Sequence, residues 1–211
     1  MPGDQSPDGV GPVPGGDQSG GGGAQSRVEG VFAIDGGAMP VTSSLIMWLG
    51  DLNMDEKRAF LRHTVATVAY RGGKAVRDAP ASFAGYSPDG SPRTVVKILA
   101  HVGDLYDWAL SQATGAEAWQ DSTPLPWDQE VERFHAALAR FDAFLASDTP
   151  LATTPEKLFQ GAIADSLTHI GQLAMLRRLA GAKIKGENYS KAEIVAGRVG
   201  AEQPAARREF D

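Results

Sequence analysis

The sequence predicts an all-α protein, an antiparallel four-helix bundle that follows a disordered N-terminal segment. Four stretches have apolar residues at helical spacing, and loops rich in glycine, proline and serine separate them. No stretch shows the alternation of apolar and polar residues that is typical of a half-buried strand. Four long helices joined by loops are expected to pack as a bundle around one core.

The N-terminal segment, residues 1–53, differs in composition from the rest. Its first 23 residues contain nine glycines and four prolines, so they cannot bury enough apolar surface to offset their backbone entropy. The segment also carries six acids and one base, which suggests an acidic tether. The alternatives are a segment without function and a translation start at Met54. The bundle is expected at 54–190, followed by a C-terminal extension at 191–211.

The overall composition excludes several classes of function. The chain has 211 residues, a net charge of −6 and no cysteine. It therefore has no disulfide framework and no cysteine nucleophile of its own. The acidic balance does not support a nucleic-acid partner, and no apolar run is long enough to span a membrane or form a signal peptide. We expect a soluble cytoplasmic protein that binds neither nucleic acid nor membranes.

The first two helices are predicted from their apolar spacing and their end residues. The first runs from Asp55 to about Asp78, where Gly72 and Gly73 indicate either a kink or a closely packed neighbour. The second begins with Ser91 as its N-cap and Pro92 as its first residue, and it runs to about Ala113, just before Gly115. The apolar stripe of the first helix is Leu61, Val65, Val68, Gly72 and Ala75.

The third helix is predicted from Pro126 to about Ser147. The fourth begins with Thr154 and Pro155 and ends at Gly181, and a short helix is expected at 191–199. The apolar stripe of the third helix is Trp127, Val131, Phe134, Leu138, Phe141 and Leu145.

Polar residues interrupt the apolar stripe of the fourth helix. The stripe is Leu158, Ala162, Asp165, His169, Gln172, Leu176 and Leu179. Its outer members are apolar, so we expect it to face the core. Asp165 and His169 are one turn apart and lie on the same face. Because burying an uncompensated carboxylate is costly, Asp165 must be paired, hydrated or bound to a metal ion.

The second helix has one such interruption, His101, on the stripe of Ile98, Leu105 and Trp108. With Asp165 and His169 it would supply two imidazoles and one carboxylate, a ligand set that suits zinc, iron, nickel or manganese. The alternative is a hydrogen-bonded Asp–His pair beside a core histidine.

The other polar candidates receive weaker assignments. His63 and His135 are expected to be structural or surface residues. Asp104, one turn from His101, could orient that imidazole, or it and Asp107 are solvated. Gln172 is assigned to packing or to a contact beside the metal ligands.

The motifs of the second and fourth helices resemble those of the DinB/YfiT-like superfamily. They are Leu99-Ala-His101-Val-Gly-Asp104-Leu-Tyr-Asp107-Trp108 and Asp165-Ser-Leu-Thr-His169-Ile-Gly-Gln172-Leu173. The resemblance covers roughly 54–190 and implies an up-down-down-up bundle with a divalent metal ion held at His101, Asp165 and His169. Asp165 departs from the family pattern, which has histidine there. A carboxylate lowers the charge of the site by one and favours harder metal ions.

The resemblance also implies an activity and partners. Characterised members are metal-dependent transferases and isomerases that use low-molecular-weight thiols, and homodimers are common among them. Because this chain has no cysteine, the thiol would come from a cosubstrate. Two alternatives remain open: metal-assisted hydrolysis, and a non-enzymatic, stress-linked bundle in which the polar trio fixes helix register.

Overall fold

The computed structural model describes residues 33–34, 37–38 and 43–211, with side chains from residue 53 onward. The chain divides into two units, Met1–Leu45 and Ile46–Asp211. In the first, strands β1 (Ala33–Ile34) and β2 (Gly37–Ala38) pair antiparallel. The predicted disorder of 1–32, 35–36 and 39–42 lies outside the described residues.

The described part of the chain is mostly helical. Helix α4, a single π-helical segment at Phe159–Ile163 and helix α5 follow one another without interruption. They therefore form one long helical segment, the fourth of the described chain. The helices are α1 (Ser43–Val76), α2 (Val95–Thr114), α3 (Trp127–Ala146), α4 (Pro155–Leu158) and α5 (Ala164–Leu179).

Two predicted helix starts are wrong. Helix α1 begins at Ser43 rather than near Asp55, so residues 43–53 are helical and not disordered. Helix α2 begins at Val95 with Thr94 as its N-cap, not at the Ser91–Pro92 pair. The N–H groups of Val95 and Val96 bond to carbonyl oxygens of the preceding loop. These backbone bonds satisfy the first turn without a side-chain cap.

Two predicted helix C-termini and one predicted helix N-terminus are confirmed. Gly115 and Gly181 have left-handed backbones at the ends of α2 and α5, with φ of +80° and +78°. The Thr154 hydroxyl accepts a hydrogen bond from the Lys157 N–H, and Pro155 is the first residue of α4. Each of these signals depends only on neighbouring residues.

The predicted stripe of α1 is fully buried, and its glycine marks a closely packed neighbour rather than a kink. A Cβ atom added at Gly72 would lie 2.6 Å from Cζ of Phe134, a fully buried ring of α3. Glycine is therefore required for α1 and α3 to approach each other here. The seam of α3 is also confirmed, since Phe134, Leu138, Phe141 and Leu145 are buried.

The predicted stripe of the fourth helical segment is confirmed at Leu158, Ala162 and His169, which are buried. The other buried positions after the π segment are Ser166, Ile170, Leu173 and Arg177, each one residue later than the predicted positions 165, 169, 172 and 176. A π turn contains one additional residue, so it rotates all that follows. Leu179, expected in the core, is 55 % exposed.

The chain from Gly186 to Asp211, which includes the predicted C-terminal extension, packs against α1 and α3. Strand β3 (Gly186–Glu187) pairs with β4 (Glu209–Phe210). Glu187 is buried and accepts hydrogen bonds from Tyr70 and Lys74 of α1. The short helix predicted at 191–199 is absent: a 3-10 turn covers Tyr189–Lys191, and the chain beyond it is irregular. The hydrogen bonds to Tyr70 and Lys74 hold this part of the chain against α1 without helical structure.

Among the described residues, no helix combines the length and the apolar character needed to cross a membrane.

The glycine contact predicts opposite effects for two adjacent substitutions. Gly72→Ala should destabilise the protein by about 1–3 kcal/mol, because its methyl group would overlap the Phe134 ring. Gly73→Ala is the matched control, since its Cβ would meet ordinary contacts at 3.7 Å and beyond. It should be neutral or stabilise by up to about 1 kcal/mol. Urea denaturation measures both, and equal effects would contradict the packing described.

Candidate metal centre

The three residues singled out from the sequence lie together. His101 extends from the second turn of α2, and Asp165 and His169 extend from successive turns of α5. The Asp165 carboxylate lies between the two imidazoles. Its Oδ1 is 3.4 Å from Nε2 of His169, and its Oδ2 is 3.7 Å from Nε2 of His101. The two imidazole rings are almost perpendicular, with centroids 4.8 Å apart.

The orientation of His169 is held by Gln172. The Nδ1 of His169 is 2.8 Å from Oε1 of Gln172, one turn further along α5. An amide oxygen only accepts hydrogen bonds, so Nδ1 carries the proton and donates it to Gln172. The Nε2 atom is then the ring nitrogen that faces Asp165. A hydrogen bond of this kind orients metal-ligating histidines in proteins.

His101 has an aromatic environment. Its ring is 5.5 Å from that of Trp119, in an edge-on arrangement, and Trp119 contacts Trp108 in the same way. Burial, and secondarily the nearby His169, lower the pKa of His101 below its ordinary value of 6.5. His101 is therefore neutral at pH 7, the protonation state that a metal ligand requires.

The trio lies at the edge of the core, not within it as expected from the stripe. His169 is 7 % exposed, whereas the side chains of His101 and Asp165 are 30 % and 46 % exposed. The π segment is the cause, since it rotates Asp165 away from the buried face. Three pockets of about 440, 430 and 250 Å³ are lined by other residues. His101 and Asp165 are thus accessible from solvent, whereas His169 is buried behind them.

The geometry of the trio fits a small divalent cation. One ligand atom from each residue can be chosen so that all three lie within 4.8 Å of one another. Two ligand atoms of a tetrahedral zinc ion are about 3.4 Å apart. Side-chain rotations that bring the ligand atoms roughly 1.4 Å closer would therefore complete the site. Three protein ligands would leave further coordination positions for a substrate.

The loop after α2 is held in place beside the trio. Arg133 of α3 forms ion pairs with Asp104 and Glu130, and it donates a hydrogen bond to the Ser122 hydroxyl. Asp104 in turn accepts a hydrogen bond from the Ser122 N–H. This network anchors the residues that follow Trp119.

The network corrects the assignment of Asp104. Its side chain is 5 % exposed and paired with Arg133. It therefore neither orients His101 nor faces solvent. The carboxylate of Asp107 is half-exposed and pairs with Arg140.

The two remaining histidines are in the predicted structural or surface positions. His63 is exposed on α1, and His135 is buried with its Nδ1 3.2 Å from the carbonyl oxygen of Val199.

Two side chains near the trio were missed by sequence reasoning. They are Trp119 and Arg93, both in loops, where no periodic pattern could place them. The guanidinium of Arg93 lies 3.5 Å from the His169 ring.

The chain matches no protein-family model, no curated protein and no solved structure with which it was compared.

The electrostatics of the trio predict opposite pKa changes at His101 in two variants. His169→Ala removes an imidazole that lowers the pKa of His101 and also reduces the burial of His101, so this pKa should rise. Asp165→Asn removes the negative charge that raises this pKa, so it should fall further. Nuclear magnetic resonance titration of the imidazole protons in metal-free protein measures both. If the pKa of His101 is unchanged in both variants, His101 is not electrostatically coupled to Asp165 and His169, which would contradict the arrangement described.

Proposed function

We propose that the chain is a divalent-metal-dependent enzyme with the DinB/YfiT-like four-helix bundle, and that it transfers a low-molecular-weight thiol to a small electrophile. The observation that carries the proposal is the convergence of His101, Asp165 and His169 from two helices within 4.8 Å. The motifs of α2 and α5 support the family assignment. Zinc, nickel, iron and manganese are all compatible with this ligand set.

The proposed chemistry begins with activation of the thiol. A divalent cation at these three residues would lower the pKa of a thiol that coordinates it, so that the thiolate is available near neutral pH. The sulfur then forms a bond to an electrophilic carbon. The leaving group departs with its bonding electron pair, and the thiol proton passes to solvent. The sulfur must come from a cosubstrate, because the chain contains no cysteine.

The protein's own residues position this reaction. Gln172 holds the His169 ring so that Nε2 is directed towards Asp165. The exposed side chains of His101 and Asp165 leave the trio open to substrates from solvent. Trp119, which is 43 % exposed, stands against His101 and offers an apolar surface to the electrophile. No residue of the described chain is assigned as a general base.

Metal analysis tests the ligand set. Protein purified without a metal-binding tag should contain about one divalent cation per chain, and His101→Ala and His169→Ala should contain almost none. His63→Ala is the matched control and should retain the metal, because His63 is exposed on α1. Asp165→His should retain or tighten zinc binding, since it supplies a third imidazole at the same spacing.

Two outcomes of the metal analysis would contradict the ligand set. Undiminished metal in His101→Ala or His169→Ala would reject the site, and it would favour the non-enzymatic alternative. Loss of metal in Asp165→His would remove Asp165 from the ligand set.

Turnover of a generic electrophile tests the reaction. Metal-loaded protein with chlorodinitrobenzene and a small thiol should release chloride and form the thioether faster than the thiol alone. His101→Ala should abolish this enhancement, whereas His63→Ala should preserve it. A metal-dependent rate that requires no thiol would reject thiol transfer and favour hydrolysis.

A further inference from the structure

Arg93 lies beside the trio, in the segment that precedes α2. Its side chain is exposed, and its Nη2 atom is 3.5 Å from Nδ1 of His169. Its charge also contributes to the lowered pKa of His101, so the guanidinium is close to both imidazoles. Arg93 is therefore at the opening of the candidate metal centre and not on a remote surface.

The fold does not account for this position. The Nδ1 of His169 already donates its proton to Gln172, so it has no lone pair with which to accept from Arg93. The contact at 3.5 Å places two donors next to each other. Nor does Arg93 have a carboxylate within ion-pair distance among residues 53–211. The arginines that do have one there are Arg62, Arg133, Arg140, Arg198 and Arg207.

The charges around Arg93 favour an anion. A divalent cation with the Asp165 carboxylate has a net charge of +1, and Arg93 raises the total to +2. A planar guanidinium with unused N–H donors binds a carboxylate through two parallel hydrogen bonds. A negatively charged ligand group would give Arg93 its missing acceptor and reduce the charge of the site.

The position of Arg93 also indicates which molecule carries that group. Arg93 adjoins His169, which is a ligand of the cation in the proposed function. The group next to it therefore belongs to the molecule that coordinates the cation, and in that function this molecule is the thiol. We propose that Arg93 selects a thiol cosubstrate that bears a carboxylate a short spacer away from its sulfur. This inference rests on the proposed function.

A pair of small thiols tests the inference without turnover. Mercaptopropionate and mercaptopropanol have the same carbon chain and differ in the carboxylate. Cobalt-loaded protein reports thiol binding directly through the charge-transfer absorption of a cobalt–sulfur bond. Wild-type protein should bind mercaptopropionate about tenfold more tightly than mercaptopropanol, the contribution of one charge-assisted hydrogen-bonded pair.

Three variants isolate the role of Arg93. Arg93→Gln should lose the preference while it still binds cobalt and mercaptopropanol, and Arg93→Lys should keep part of the preference. Arg178→Gln is the matched control: it removes the same charge from an exposed position on α5, more than two turns beyond His169. It should behave as wild type.

The outcomes separate the two proposals. If cobalt binds and wild-type protein shows no preference, or if Arg93→Gln keeps it, the role of Arg93 is rejected and the metal centre stands. If wild-type protein binds no cobalt, the metal centre and the inference that rests on it are both rejected. Circular dichroism confirms that each variant is folded, which is expected because both arginines are exposed.

Discussion

One additional residue in a helical turn determines the chemistry available to this protein. Beyond the π segment at Phe159–Ile163, four of the five buried positions of the fourth helical segment lie one residue later than the regular spacing predicts, and His169 is the exception. Without the π segment, Asp165 would face a core of buried apolar side chains, where an isolated carboxylate is strongly unfavourable. With it, Ser166 takes the buried position, and Asp165 lies at the edge beside two imidazoles. Irregular turns of this kind are common at functional sites for the same reason.

The features that could be predicted from the sequence are those that depend on neighbouring residues. The caps at Thr154 and Gly115 and the buried stripes of α1 and α3 follow from local geometry and regular spacing. The pairing of Asp165 with His169 is also local, since the two residues are one turn apart. The inclusion of His101 required only that α2 and α5 be neighbours in the fold.

The features that could not be predicted depend on contacts between distant parts of the chain. A regular spacing of 3.6 residues cannot reveal a π turn, so it places Asp165 and Gln172 on the buried face together with His169, and only His169 is buried. The spacing along α2 relates Asp104 only to His101, because its actual partner, Arg133, is on another helix. The ordered extension contacts α1 through the ion pair of Glu209 with Lys74, and regular spacing in the sequence cannot predict such a long-range contact.

The anchored loop beside the trio has a kinetic consequence. Arg133 binds groups from α2, α3 and the loop, so the backbone that follows Trp119 is ordered before any ligand arrives. Binding then requires little further loss of loop entropy. Association without a closing motion is governed by diffusion and by the attraction of opposite charges, and it slows as ionic strength increases.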